Sequence, residues 1–504
     1  MIMKKIFYAV TITGALLITS CEKELNQTPI SAATTQTFYA IPNDFLQGVN
    51  AVYFNLKTYP DRQLNLSETR SDNLYAVSDG GVRDWEGINS FHKNLSANPY
   101  LEEAWSANYN GIYKANVILQ QLLNNGTIIT DAALRKRYEA EARFLRAFYY
   151  FDLVRWFGKV PVIDKATSAN EALNIPRSPV AEVYNLIISD LQYSIDNLPD
   201  TYAAADKGRV TKNAAKGILA LVHMTRSGPT YGIDGPGLGL NEWNKAYTLL
   251  NEVVLSAKYS FIPTSYSSIF SYTNENNSEV VFDVQYNSGS IPFVGATFPF
   301  VLVPDSWFTS LGKIVQGGLT IRPVSTDLLN SYQAADTRKA FTIQTGFTVN
   351  GVVEPRSFFK KYVDLARVPT ANRLDWPINF IVLRYTDILL LRAECSLNGG
   401  GGTLATDVLA PVNQVRLRAG LTTVTTLTLP QLMEERRKEF AAEGTRWNDL
   451  VRSGLVITKI PAWITTEDVQ RQMQPFIKDF VIYAVPQTQL DVKPGLYTQN
   501  SGYN

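Results

Sequence analysis

Near the C-terminal end, Glu435, Glu439 and Glu443 are spaced i, i+4, i+8 along a helical segment, with Arg436, Arg437 and Arg446 beside them. Glycoside hydrolysis uses two carboxyl groups about 5 to 9.5 Å apart, a separation one helical face supplies. Arginines interleaved among carboxylates form ion pairs, however, which lower the carboxyl pKa and leave poor general acids. The pattern therefore predicts a scaffold, and no catalytic residue is assigned. Other reactive residue types are sparse. His92 and His223 are too few for a metal site without carboxylate help, and His223 falls within a helical stripe. Cys395 sits in an apolar helix with no basic neighbour in the immediate sequence, which predicts a buried, inert thiol. The run Gly399–Gly402 continues into Thr403-Leu404 instead of the Lys-Ser/Thr of a phosphate loop, so it reads as a helix stop and linker. Gly235-Pro236-Gly237-Leu238-Gly239 has no strand before it and reads as a loop. With no G-x-S-x-G, H-E-x-x-H or calcium-loop pattern, no metal or cofactor is implied.

Binding is the remaining chemistry. The stretch from Asp72 to Pro99 holds Asp72, Asn73, Tyr75, Arg83, Asp84, Trp85, Asn89 and Phe91. Aromatic faces for C–H stacking, with guanidinium forks and amides for ring hydroxyls, are what a sugar site needs. A second stretch, 286–307, offers Tyr286, Asn287, Phe293, Phe298 and Trp307. In both, aromatics plugging a loop against the scaffold is the competing reading. Trp85 is the leading single candidate because it stands among polar residues, outside any periodic stripe. The expected ligand contacts are Asp72, Asn73, Tyr75, Arg83, Trp85, Asn89, Tyr286, Phe293 and Trp307.

A different chemistry falls on Cys21. Before it come Lys4 and Lys5, the apolar run Ile6–Ile18, and Thr19-Ser20; after it comes Glu22-Lys23-Glu24. A basic start, a short apolar stretch and small residues before a cut form a secretory signal. The run is too short to span a bilayer, which takes about 20 residues. A small-residue site running directly into cysteine resembles a bacterial lipobox, with Ile18 where leucine is usual. The resemblance implies that residues 1–20 are removed and that the Cys21 thiol carries diacylglycerol. Two or more acyl chains anchor a protein stably where one does not. The acidic residues after Cys21 resemble signals that send lipoproteins to the outer face of the outer membrane.

Lysine plus arginine is 47 against 46 acidic residues, a net charge of +1, so nothing points to nucleic acid. With Cys395 the only other cysteine, an acylated Cys21 leaves no internal disulfide, and burial must hold the fold together. After a tether over 21–37, apolar residues at 105, 109, 112, 119 and 123 mark one helix. Those at 134, 138, 145, 149, 153 and 156 mark a second, ending at Gly158. Further helices open near Ser178-Pro179, Thr211 and Asn241. Such spacing suggests tetratricopeptide-like pairs, which leave an extended surface for a partner. Residues 279–286 alternate as a half-buried strand. Long loops occupy 287–324 and 346–379, helices are expected at 380–398, 406–419, 430–443 and 445–453, and a strand at Phe480–Val485. The fold class is mainly α: a tetratricopeptide-like helix-pair scaffold with long loops and a few short β-strands. A helical N-terminal region is placed at 38–225 and a C-terminal region with ligand-facing loops at 226–504.

Six motifs in order carry a family likeness. They are Glu141-Ala142-Arg143-Phe144-Leu145-Arg146-Ala147 through Trp156-Phe157-Gly158; Gly208-Arg209-Val210-Thr211-Lys212; and Leu383-Arg384-Tyr385-Thr386-Asp387 to Ala393-Glu394. Asn413-Gln414-Val415-Arg416 to Gly420-Leu421, Glu435-Arg436-Arg437 to Asp449-Leu450, and the tail Gln499–Asn504 complete the set. Together they resemble the SusD/RagB family of outer-membrane nutrient-binding lipoproteins. The resemblance implies an oligosaccharide-binding, non-catalytic lipoprotein on the cell exterior. It would act as the lid of a SusC-like TonB-dependent outer-membrane barrel, with the region 72–99 lining the glycan site. Peptide cargo on the same machinery, a surface glycoside hydrolase and a protein-binding helical scaffold are the alternatives.

Overall fold

The computed structural model describes residues 38–77, 83–313, 319–370 and 372–504; Cys21 and the tether 21–37 lie outside the described residues. Helix α1 (Pro42–Phe54) leads to two long helices, α2 (Pro99–Asn125) and α3 (Ala132–Phe157). Their starts are chemically marked. Asn98 accepts the backbone N–H of Tyr100 before Pro99, and Asp131 accepts those of Ala133 and Leu134, so side chains satisfy donors that have no intrahelical acceptor. Helix α3 stops at Gly158, whose φ is +67° and where a Cβ would lie 1.8 Å from the Asp234 carbonyl oxygen, so only glycine fits.

Helices α4 (Val180–Asn197), α5 (Lys212–Ser227, capped by the Thr211 hydroxyl) and α6 (Trp243–Leu255) follow. Each packs on its predecessor: α2 on α3, α3 on α4, α4 on α5 and α5 on α6. This is the stacked-pair arrangement that the spacing predicts. Close approach within the stack depends on small residues. A Cβ on Gly111 of α2 would come 2.4 Å from the ring of Tyr149, which is fully buried on α3.

Strand β1 (Val280–Val284) pairs antiparallel with a later strand, Phe380–Arg384, with Val284 opposite Phe380 and Val280 opposite Arg384. Between them β2 (Ile343–Val349) and β3 (Val352–Phe359) form an antiparallel hairpin. The strand Phe380–Arg384, β4, corrects the expected helix 380–398: helix α7 begins only at Tyr385 and runs to Leu397. Phe380-Ile381-Val382-Leu383 is a short continuous apolar run, for which periodicity cannot separate strand from buried helix. Helices α8 (Ala410–Arg418, entered through a π-turn at Leu404–Leu409), α9 (Leu429–Glu439), α10 (Arg446–Ser453) and α11 (Val456–Glu467) complete the body.

Phe480–Val485 is the second correction. It is a 3₁₀ turn, Lys478–Val481, followed by extended chain with no partner strand. The tail's amides take the place of a ladder. Gln499 both accepts the Val485 N–H and donates to its carbonyl, while Asn500 donates to the carbonyls of Phe157 and Tyr483. The main apolar core runs from Phe45 to Tyr503, and a smaller cluster of Leu390, Val412, Val415, Leu432 and Met433 packs α7, α8 and α9 together.

Candidate functional site

The glutamate row is the interior of an ion-pair cluster. Glu439, fully buried on α9, meets Arg384 (2.8 Å) and Arg418 (2.6 Å) through one oxygen and Arg338 (3.1 Å) through the other. Glu443 meets Arg384 (3.0 Å) and Lys361 (2.6 Å); Glu435 meets Arg338 (2.7 Å) and Arg416 (3.0 Å). Burial alone would raise the Glu439 carboxyl, but Arg418, Arg384 and Arg338 outweigh it and hold the group well below the usual carboxylate range. A carboxylate so held is a poor proton donor at neutral pH, and these residues form the scaffold that the interleaved charges predict. His223 is buried against Glu242 at 3.0 Å, and burial pushes the Cys395 thiol up. Among the described residues no cluster of His, Cys, Asp and Glu is arranged to hold a metal ion, and no helix is long and apolar enough to cross a membrane.

The residues expected to contact ligand divide sharply. Asp72 receives two bonds of 2.7 Å from Arg446 of α10, and Asn73 accepts from Arg437 of α9 (2.8 Å) and donates to Glu68 (2.7 Å). Asn89 bridges three backbone groups, those of Thr69, Leu74 and Ala76. All three side chains are buried and fasten the loop from beneath. Trp85, expected to offer an open ring, is 6% exposed, and the Arg322 guanidinium lies over that ring at 4.2 Å. Trp307 is also 6% exposed, packed on Phe308 and Phe358. Polar neighbours in sequence do not predict an exposed ring here, because Arg322 and Phe358 arrive from distant segments. Tyr286 is half-buried and donates to the Lys57 carbonyl, and Arg83 is half-buried at the start of a short helix, Asp84–Asn89. Phe293, at 37% exposure, stands on a surface loop whose ends Asp375 clamps by accepting the N–H groups of Gly289 and Gly295.

Tyr75 is different. Its backbone N–H donates to the Pro323 carbonyl, and residues 73–75 lie against 323–325, which in turn bonds β3 at Ser357. Its hydroxyl donates to Asp468 at 2.7 Å, which fixes the ring. The ring forms one wall of an open groove of about 590 Å³, with Arg356 of β3, Thr326, Glu467, Gln470 and Gln472 on the others. Apart from Tyr75, none of these stands out in the sequence. They come from segments 250 to nearly 400 residues further along the chain and carry no periodic or motif signal. The nine expected contacts are thus not brought together: one lines this groove, one is exposed on another loop, and the rest are buried or half-buried.

Fold and groove together define a helix-pair scaffold that offers an open, polar, aromatic-walled surface. Two family models match the chain, one described as "Starch-binding associating with outer membrane" over residues 27–224 and one as "SusD family" over residues 354–503. A SusD-like protein of Bacteroides ovatus is 28% identical over 87% of this chain and 81% of its own length. Among solved structures, a laminarin-binding SusD-like protein is 26% identical with a TM-score of 0.74, covering 92% of this chain and all of that one. Surface glycan-binding protein A from Bacteroides thetaiotaomicron, solved with laminarihexaose, has the same fold at 23% identity and a TM-score of 0.77, again over 92% of this chain and all of the other. The chain belongs to the SusD/RagB family.

Proposed function

We propose that this protein is a surface glycan-binding lipoprotein, anchored to the outer membrane through Cys21, that captures an oligosaccharide and presents it, as a lid, to a SusC-like TonB-dependent barrel. The observation that carries the reading is the groove at Tyr75: an aromatic ring already immobilised by Asp468, facing exposed amide side chains. Sugar rings stack on such a face through C–H groups, and amides serve ring hydroxyls as donor and acceptor together. A ring fixed before binding loses little conformational freedom when the ligand arrives. In this reading Tyr75 is the stacking residue, while Asp72, Asn73, Asn89 and Trp85 hold its loop. Membership in a family whose relatives include named glycan binders supports the cargo class.

Electrophoresis of the purified protein through gels containing polysaccharides, with calorimetry against oligosaccharides and peptides, tests this. At least one glycan should retard or titrate the protein, and Tyr75→Ala should weaken it by about tenfold or more, the loss of one stacking anchor. Binding to peptides alone, or to nothing at millimolar concentration, would rule the proposal out.

A further inference from the structure

The charge pattern of the groove bears on which glycans it takes, an inference that rests on the function just proposed. Among the described residues lining it, Arg356 is the only cation, and Glu354 grips it on both sides, Nε to one oxygen at 2.8 Å and Nη2 to the other at 2.7 Å. The opposite wall is acidic. Glu467 accepts the N–H groups of Thr326 and Asp327 at 2.6 and 3.1 Å. Asp468, behind Tyr75, accepts the tyrosine hydroxyl and the N–H groups of Gln472 and Met473. Each of these carboxylates is met by neutral donors alone in these contacts, with no cation among them. Gln470 and Gln472 are exposed and add donors and acceptors of zero net charge; Arg471 lies between them in sequence but does not line the groove.

A uronate or sulfate entering this space meets the Glu467 carboxylate, with Asp468 buried behind the tyrosine ring, and a guanidinium that is already engaged. Like charges repel, and the repulsion is stronger beside a protein surface than in bulk water. Sugar hydroxyls meet no such obstacle, because each can donate to a carboxylate or glutamine oxygen and accept from an amide. We infer that the groove selects uncharged oligosaccharides and rejects polyuronates and sulfated glycans.

The test runs the full-length protein through gels containing neutral glycans (a β-1,3-glucan, starch, a galactomannan) or anionic ones (polygalacturonate, alginate, a sulfated galactan). The ionic strength is held at about 0.15 M, where long-range attraction between exposed charges is largely screened. Wild type should be retarded by at least one neutral glycan, about tenfold less so after Tyr75→Ala, and by none of the anionic set. Gln472→Lys, an exposed site that disturbs no buried contact, should confer measurable retardation by an anionic glycan. Anionic binding by wild type that Tyr75→Ala removes would overturn the selectivity while leaving glycan capture intact. Neutral binding indifferent to Tyr75→Ala would overturn it by moving the site elsewhere. Failure with both glycan classes would instead remove the capture reading, and this inference with it.

Discussion

Glu439 sits fully buried among three arginines, which makes the cluster expensive to break. Removing one partner of a buried ion pair leaves an uncompensated charge and typically costs about 3 to 5 kcal/mol. Glu439→Gln should lower the urea midpoint by a corresponding amount with an unchanged m-value, and a neutral result would show that the cluster contributes no more than surface pairs do. The buried acids also give stability a two-sided pH dependence. Glu439 and Asp72 have folded carboxyls held below their ordinary values, so their contribution is complete above about pH 4 and drains away as the pH falls further. Asp283 behaves oppositely. Burial pushes it up to about 7 despite hydrogen bonds from Gln285 and Asn379, with Glu275 adding repulsion. A raised carboxyl stabilises fully below its unfolded value, and that contribution is lost as the pH rises from about 4 to about 7, by up to about 1.4 kcal/mol per unit. The unfolding free energy should therefore gain as the pH drops from 7 toward 5 and then collapse below 4. Burial pushes Asp61 up to about 7 as well, so Asp283→Asn should make the first limb shallower without abolishing it and spare the second; a variant that keeps the wild-type slope between pH 5 and 7 would sink this assignment.

Elements were legible where one physical signal dominated. Helix α3 was legible from sequence because its apolar stripe and Gly158 mark the same helix, whose start the structure shows capped by Asp131. The strand Phe380–Arg384 could not be, since its partner is Val280–Val284, almost a hundred residues away, and its own composition suits either conformation. Ligand-facing positions were the least legible. Exposure of Trp85 is decided by Arg322, and the groove opposite Tyr75 is assembled from Arg356 and Gln472, none of which announces itself locally. The tail shows the same logic in a form that can be tested. Asn500 satisfies two buried carbonyls, on Phe157 and Tyr483, and so ties the last residues to the end of α3. Asn500→Ala leaves both without a donor, at about 1 to 3 kcal/mol each. We expect a lower thermal midpoint and earlier protease nicking near residue 495 than in wild type. Equal resistance of the two proteins would mean that other contacts hold the tail.

At the scale of the whole molecule, the proposal separates capture from address. Capture is there assigned to the groove beside Tyr75, a property of the folded body, and address to fatty chains proposed at Cys21, outside that body. Neither function needs the other for its chemistry, so a variant should divide them cleanly. Cys21→Ala removes the thiol that would carry diacylglycerol, and with it the several acyl chains that make membrane residence stable. The variant should lose metabolic palmitate label and leave the outer-membrane fraction, yet bind glycan with wild-type affinity once purified. Loss of the address should also lower the yield of a large outer-membrane barrel protein co-purified from detergent-solubilised cells, because anchoring confines the two partners to one surface and raises their effective concentration. Tyr75→Ala should do the reverse, keeping label, fraction and barrel while losing glycan. If Cys21→Ala stays membrane-bound with its label intact, the anchor is elsewhere and the proposed division of labour fails. Should both variants lose glycan binding together, capture and address would be one property of the chain instead of two.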